Sequence, residues 1–191
     1  MSTGQEKLER DLEILSAMAA GMDDYLKSDI LFGRMPESGM PMLTLGGYLM
    51  RQHRLLALIF LLSDAERQQL DETVRQFNQA LVEKVVRFET KAQHELEARL
   101  RQMEEYLRDL RNKKSGSLNY DTAVEPRVMI SALLHKLQMA PYKFDEHTVE
   151  RVALLDKNLR QRWTPGDFIW PEAWQPAYPP DEYWWLYGRP T

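Results

Sequence analysis

The sequence predicts an all-α protein: five helices around one very long helix at about 64–112, with an irregular Trp/Pro-rich C-terminal tail packed on the bundle. Three observations carry that expectation. From Asp64 to Asn112 there is no proline and no glycine, and Leu70, Val74, Phe77, Leu81, Val85, Phe88, Ala92, Leu96, Leu100, Met103, Leu107 and Leu110 recur at a mean spacing of roughly 3.6 residues, the α-helical repeat. Two capping boxes, Thr3/Glu6 and Ser63/Glu66, open apolar-periodic segments. All five tryptophans lie in the last 29 residues, together with Phe168, Tyr178, Tyr183, Tyr187 and six prolines.

The first helix is expected over about residues 4–28, with Leu8, Leu12, Leu15, Met22 and Leu26 on one face. Asp29 to Leu43 reads as irregular, punctuated by Gly33, Pro36, Gly39 and Pro41, yet apolar enough to pack down. A short hairpin turning at Glu37-Ser38-Gly39 is compatible with it, although the prolines restrict its pairing. The second helix, about Thr44 to Leu62, is apolar all round in its C-terminal half, so it is expected to be the most buried.

The long helix follows at once. Asp71–Arg75, Glu83–Arg87, Glu95–Arg99, Glu97–Arg101 and Glu104–Arg108 are acid-before-base pairs at i, i+4, each worth ~0.3 kcal/mol if formed. Its residues would span roughly 73 Å as a straight rod, whereas a globule of this length is about 40 Å across. It must project, kink, or be clothed by different partners in its two halves, and the last is the expectation. Lys113-Lys114-Ser115-Gly116-Ser117 breaks it. A fourth helix starts near Pro126 and ends before Pro141, and a fifth runs from Asp145 to Thr164-Pro165-Gly166. Residues 1–162 form the bundle; 163–191 form the tail, part of the same domain and too proline-rich for a helix or a central strand.

Composition bounds function. The net charge is −4, and no section of the chain is strongly basic, which disfavours nucleic acid as a partner. Cysteine is absent, so disulfides, thiolate metal sites and a Cys nucleophile are excluded. The first residues are polar, unlike a secretory signal, and the longest apolar run, Leu55 to Leu62, is too short to span a bilayer. The expectation is a cytoplasmic protein without a membrane partner.

Two constellations could carry binding chemistry. Arg51, His53 and Arg54 interrupt the apolar second helix. They form either an anion pocket or, as the favoured reading, an ion pair with Asp23, Asp24 or Asp29. His94/Glu97 and His147/Glu150 are spaced three apart on helices and could each supply two metal ligands, although Glu-x-x-His is the usual order in carboxylate-bridged bundles. No motif names a cofactor. There is no nucleophile elbow and no phosphate loop.

The tail residues Trp163, Phe168, Trp170, Trp174, Trp184 and Trp185 are the interaction candidates. Pro176-Ala177-Tyr178-Pro179 fits a polyproline ligand, but self-docking is favoured, because so many free aromatics would aggregate. The expected function is a non-catalytic helical interaction or assembly protein that self-associates as a homodimer or binds a protein partner. The alternative is a ligand- or metal-binding bundle, conceivably an enzyme, at Arg51/His53/Arg54 or His94/Glu97.

Overall fold

A computed structural model describes residues 3–112 and 119–191, so the Lys113–Ser117 break lies outside the described residues. Among the described residues there are seven α-helices: α1 (Gly4–Lys27), α2 (Leu45–Ala57), α3 (Asp64–Glu83), α4 (Val85–Arg111), α5 (Tyr120–Ala123), α6 (Glu125–Leu137) and α7 (Glu146–Arg160). The fold is all-α apart from a two-stranded ribbon in the tail, β1 (Trp163–Phe168) and β2 (Tyr187–Pro190).

Both capping boxes form. The Thr3 hydroxyl accepts from the Glu6 amide while Glu6 accepts from the Thr3 amide, and Ser63 and Glu66 repeat the exchange at α3. The predicted apolar stripe is buried from Leu70 to Leu107, with only Val74, Val85 and the terminal Leu110 half-exposed.

The long helical segment is two helices, not one rod. Lys84 leaves helical geometry at φ −135°, ψ 45°, and its amide donates to Leu81 O. No proline or glycine marks the break, so composition concealed it. Val82, Val85 and Val86 weaken helix propensity around Lys84, and its ammonium is drawn across to Asp23 on α1. The break divides the packing as the length argument required. α3 lies along α1, whereas α4 packs on α2, α6 and α7.

The core runs through this junction, with Tyr48 of α2 stacked on Phe77 at 3.9 Å and Phe77 edge-on to Phe88 at 6.5 Å. The expectation for α2 is reversed along its length. Its N-terminal half, Leu45 to Met50, is fully inside, and its C-terminal end turns outward into a 3-10 turn at Ile59–Leu61. The loop before it packs partly down. Leu43 is buried and Met35 and Met40 lie against the core, while Ile30 and Met42 stay exposed. Only an isolated bridge joins Gly33 to Leu43, short of a hairpin.

Of the five i, i+4 pairs, Glu95–Arg99 alone closes among the described residues, at 3.1 Å. Glu97 and Glu104 both turn to Arg151 on α7 instead, because an interhelical guanidinium offers each a partner that also ties α4 to α7.

In the tail, β1 and β2 pair antiparallel with Trp163 opposite Pro190 and Phe168 opposite Tyr187, irregular between Pro165 and Phe168. Both strands are edges, the setting in which proline is tolerated. Gly188 adopts φ +139°, and a Cβ there would lie 2.2 Å from Thr164 O, so the ribbon requires glycine at this point. No helix among the described residues is long and apolar enough to cross a membrane.

Candidate functional site

The tail is a strap fastened to the bundle by cations from beneath. Arg54 is buried on α2 and donates to Asp11 Oδ2 at 2.7 Å and to the Tyr178 hydroxyl at 3.0 Å. Its guanidinium lies 3.8 Å from the Trp174 ring centroid and 5.1 Å from that of Trp170. Burial works against this charge, but Tyr178 and Asp11 outweigh it and hold Arg54 above its ordinary pKa. Arg51 shares Asp11 through a 3.3 Å contact and donates to Gly47 O. Burial pulls its pKa down, partly offset by Asp11.

The partner of the two arginines is therefore Asp11, rather than Asp23, Asp24 or Asp29. The geometry favours Asp11 because it shares the inner face of α1 with Leu8, Leu12 and Leu15, all buried, whereas Asp23 is taken by Lys27 and Lys84.

Two further clasps repeat the pattern. Arg127 forms a bidentate pair with Asp156, both bonds at 2.8 Å, and its guanidinium sits 3.8 Å from the Trp185 ring centroid. Arg160 lies 3.9 Å from that of Trp184, and Trp163 meets Trp184 edge-to-face at 5.2 Å. Indole N–H groups complete the docking: Trp170 donates to Asp121 O and Trp174 to Gly4 O. The deepest tail aromatics are Trp174, Tyr178 and Trp185, with Trp170 beside them, while Trp163, Phe168 and Trp184 are half-buried. Ala177 and Tyr178, the centre of the P-x-x-P sequence, are buried, so that segment is an anchor in this fold and not a displayed ligand.

A second buried carboxylate organises α2. Glu95 has no solvent exposure; both its oxygens accept from the Gly46 amide at 3.0 Å, and Arg99 donates to it at 3.1 Å. Arg99 also reaches Thr44 Oγ1, which accepts the Gly47 amide and caps the helix. Burial raises the Glu95 carboxyl above its ordinary pKa, against the opposing pull of Arg99 and the Gly46 amide. A carboxylate at a helix N-terminus faces the positive end of its dipole. Lys91 does the converse at the end of α1, donating to the carbonyls of Tyr25, Ser28 and Ile30.

The proposed metal pairs are not brought together. His94 is exposed, Glu97 is held by Arg151, and the side chains of His147 and Glu150 meet at 3.4 Å on an exposed face. Among the described residues no three metal-ligating side chains gather.

His53 separates from its arginine neighbours. It lines a groove of about 320 Å³ between α2, α6 and the strap, with apolar walls from Leu49, Met50, Leu56, Val128, Ala132 and Met139. Gln52, Ser131, His135, Lys136, Glu182 and Tyr183 complete the lining. Apart from His53, none of these was visible as a set in the sequence, because α6 and residue 183 join α2 only through the fold.

The chain matches no protein-family model, no curated protein and no solved structure.

Proposed function

We propose that this chain is a non-catalytic helical assembly protein that self-associates through an apolar ridge at the outer end of α2. One observation carries the reading. Leu56 at the end of α2 and Ile59 and Phe60 in the 3-10 turn that follows are 44%, 42% and 59% exposed, although Leu45, Tyr48, Leu49, Met50 and Leu55 of α2 are inside. Exposed apolar patches of this kind mark interaction surfaces, and phenylalanine is enriched in them. A ridge is suited to two-fold pairing, since a two-fold axis sets the same patch of each copy against the other.

The strap supports the reading by exclusion of itself. Its aromatics are spent on Arg54, Arg127 and Arg160, so the tail is not the free adhesive that its composition suggests. The buried charges support the non-catalytic part, being engaged in structural pairs: Asp11 with Arg54, Glu95 with Arg99, Arg127 with Asp156.

Sedimentation equilibrium of the full chain, with Phe60→Asp beside it, tests the reading. Wild type should show a concentration-dependent dimer, and Phe60→Asp a monomer with unchanged helical circular dichroism. A wild-type monomer up to about 100 μM, weaker than the affinity range of specific complexes, would contradict it. So would a variant that still dimerises.

A further inference from the structure

A separate cavity of about 450 Å³ lies between α1, α2, the start of α6 and the strap. Its lining carries four charged side chains of each sign. Most are already engaged. Glu6 accepts from the Thr3 amide, Arg10 meets Glu13 at 2.7 Å, and Asp121 meets Arg189 at 2.8 Å. Arg54 and Asp11 hold each other at 2.7 Å, and Lys7 is exposed. Arg51 and Glu125 remain.

Arg51 is short of a counter-charge. It is the second guanidinium on one carboxylate, and Asp11 Oδ2 is already given to Arg54. Its Nη1 donates to Gly47 O, while its Nε stands 3.3 Å from Asp11 Oδ1 without a hydrogen bond. Nη2 makes no hydrogen bond among the described residues, yet it is not closed off as Nε is. The side chain keeps 11% of its surface accessible and lines this cavity, so Nη2 is the part of the charge that the cavity reaches. A cation so nearly buried calls for an anion of its own. Burial pulls Arg51 below its ordinary pKa despite Asp11, which reflects the same shortage.

Glu125 is short in the opposite sense. It is the first residue of α6, is half-buried, and forms no hydrogen bond or ion pair among the described residues. It is near enough to Arg51 to act on it through its charge, but the two do not touch. One cavity therefore holds an open cation and an open carboxylate that do not close on each other. A ligand that is only an anion meets repulsion from Glu125, and one that is only a cation meets repulsion from Arg51. A molecule carrying both charges satisfies both residues. The remaining wall is apolar, from Met50, Ile169, Trp170, Pro171 and Trp174. The volume is within the range of small-molecule pockets.

We propose that this cavity binds a zwitterionic amino acid with an apolar side chain. Its carboxylate accepts from Arg51 Nη2, its ammonium donates to Glu125, and its side chain lies against Trp170 and Trp174. None of Leu56, Ile59 and Phe60 lines this cavity, so the site does not depend on the self-association ridge.

The test is isothermal titration of the full chain with three probes of one carbon skeleton. These are L-leucine, 4-methylpentanoate, which lacks the ammonium, and 3-methylbutylamine, which lacks the carboxylate. Leucine should bind ~10-fold or more tightly than either truncated probe, the size of one hydrogen bond to a charged group. Glu125→Gln should remove the advantage of leucine over 4-methylpentanoate. It should also bind 4-methylpentanoate more tightly than wild type does, because the carboxylate no longer meets a like charge. Arg51→Met should remove the advantage of leucine over 3-methylbutylamine, leaving Asp11 to Arg54 alone. Glu125→Gln decides the matter if Arg51→Met fails to fold, since Glu125 is held by nothing in the fold and its helical circular dichroism should be unchanged.

Leucine binding no tighter than either truncated probe overturns the proposal, as does no leucine binding at about 10 mM. A preference for leucine over 4-methylpentanoate that survives Glu125→Gln overturns it as well. Phe60→Asp is expected to leave leucine affinity intact, so failure of the ridge and failure of the cavity read out separately.

Discussion

Gly46→Ala should destabilise this protein by about 2–5 kcal/mol, the net of a lost charge-assisted bond, overpacking and helix propensity. The propensity rule alone predicts the opposite, since alanine in a helix is favoured over glycine by up to ~1 kcal/mol. A Cβ on residue 46 would lie 2.3 Å from Glu95 Oε2 and 3.0 Å from Met129 Cβ. Glu95 has no solvent to retreat into and is held by the Gly46 amide and Arg99. Moving its oxygen away sacrifices a hydrogen bond to a charged acceptor, worth ~1.5–3 kcal/mol, and crowds a packed core, costing ~1–3 kcal/mol.

Gly21→Ala is the internal control. It lies within α1, where a Cβ meets only Leu43 Cδ2 at 3.6 Å, so the same chemical change should stabilise by ~0.5–1 kcal/mol. Urea denaturation of the two variants reads the difference. At an m-value of ~2 kcal/mol/M, Gly46→Ala lowers the midpoint by ~1 M or more, and Gly21→Ala raises it slightly. A Gly46→Ala midpoint equal to or above wild type would refute the assignment of Glu95 as the fixed cap of α2.

Asp11→Asn should cost ~3–5 kcal/mol, because it leaves the buried Arg54 and Arg51 without their shared counter-charge; chemical denaturation checks the magnitude, and altered near-ultraviolet circular dichroism should report the disturbed Trp170 and Trp174. His53 gives a pH dependence of defined sign. Its folded pKa lies below the ordinary 6.5, so the unfolded chain takes up the proton first. Its contribution to stability is complete above that value and declines as pH falls toward the folded pKa. Comparing urea midpoints at about pH 7.5 and about pH 5.5, the drop should be smaller in His53→Gln, which keeps a donor for Ala177 O; an equal drop in both would remove His53 from the account.

The helices were legible because burial follows local spacing. The stripe from Leu70 to Leu107, both capping boxes and the Asp145 cap could be read directly. The break at Lys84 could not, since no proline or glycine marks it and the weak propensity of three nearby valines acts together with an interhelical contact to Asp23. The two organising carboxylates carry a signal in the sequence. Asp11 stands three residues after Leu8, and Glu95 three after Ala92, so each is an acid on the buried face of its own helix. An acid in that register is a charge that must find a partner inside, and both did. The metal pairs show the complementary point: i, i+3 spacing aligns two ligands on one helix but says nothing of a third from elsewhere, and among the described residues no third gathers with either pair. The groove was hidden more completely, because its polar groups come from α2, α6 and the tail and meet only after the strap is fastened.

The inward strap on which the account rests is tested most directly by hydrogen exchange at the tryptophan indoles of the dilute, full-length chain. Trp170 and Trp174 donate to Asp121 O and Gly4 O and are buried, so their indole N–H signals should exchange slowly and should be lost from the slow class in Asp11→Asn. Exchange of both indoles at free-peptide rates in wild type would contradict a tail docked on its own bundle.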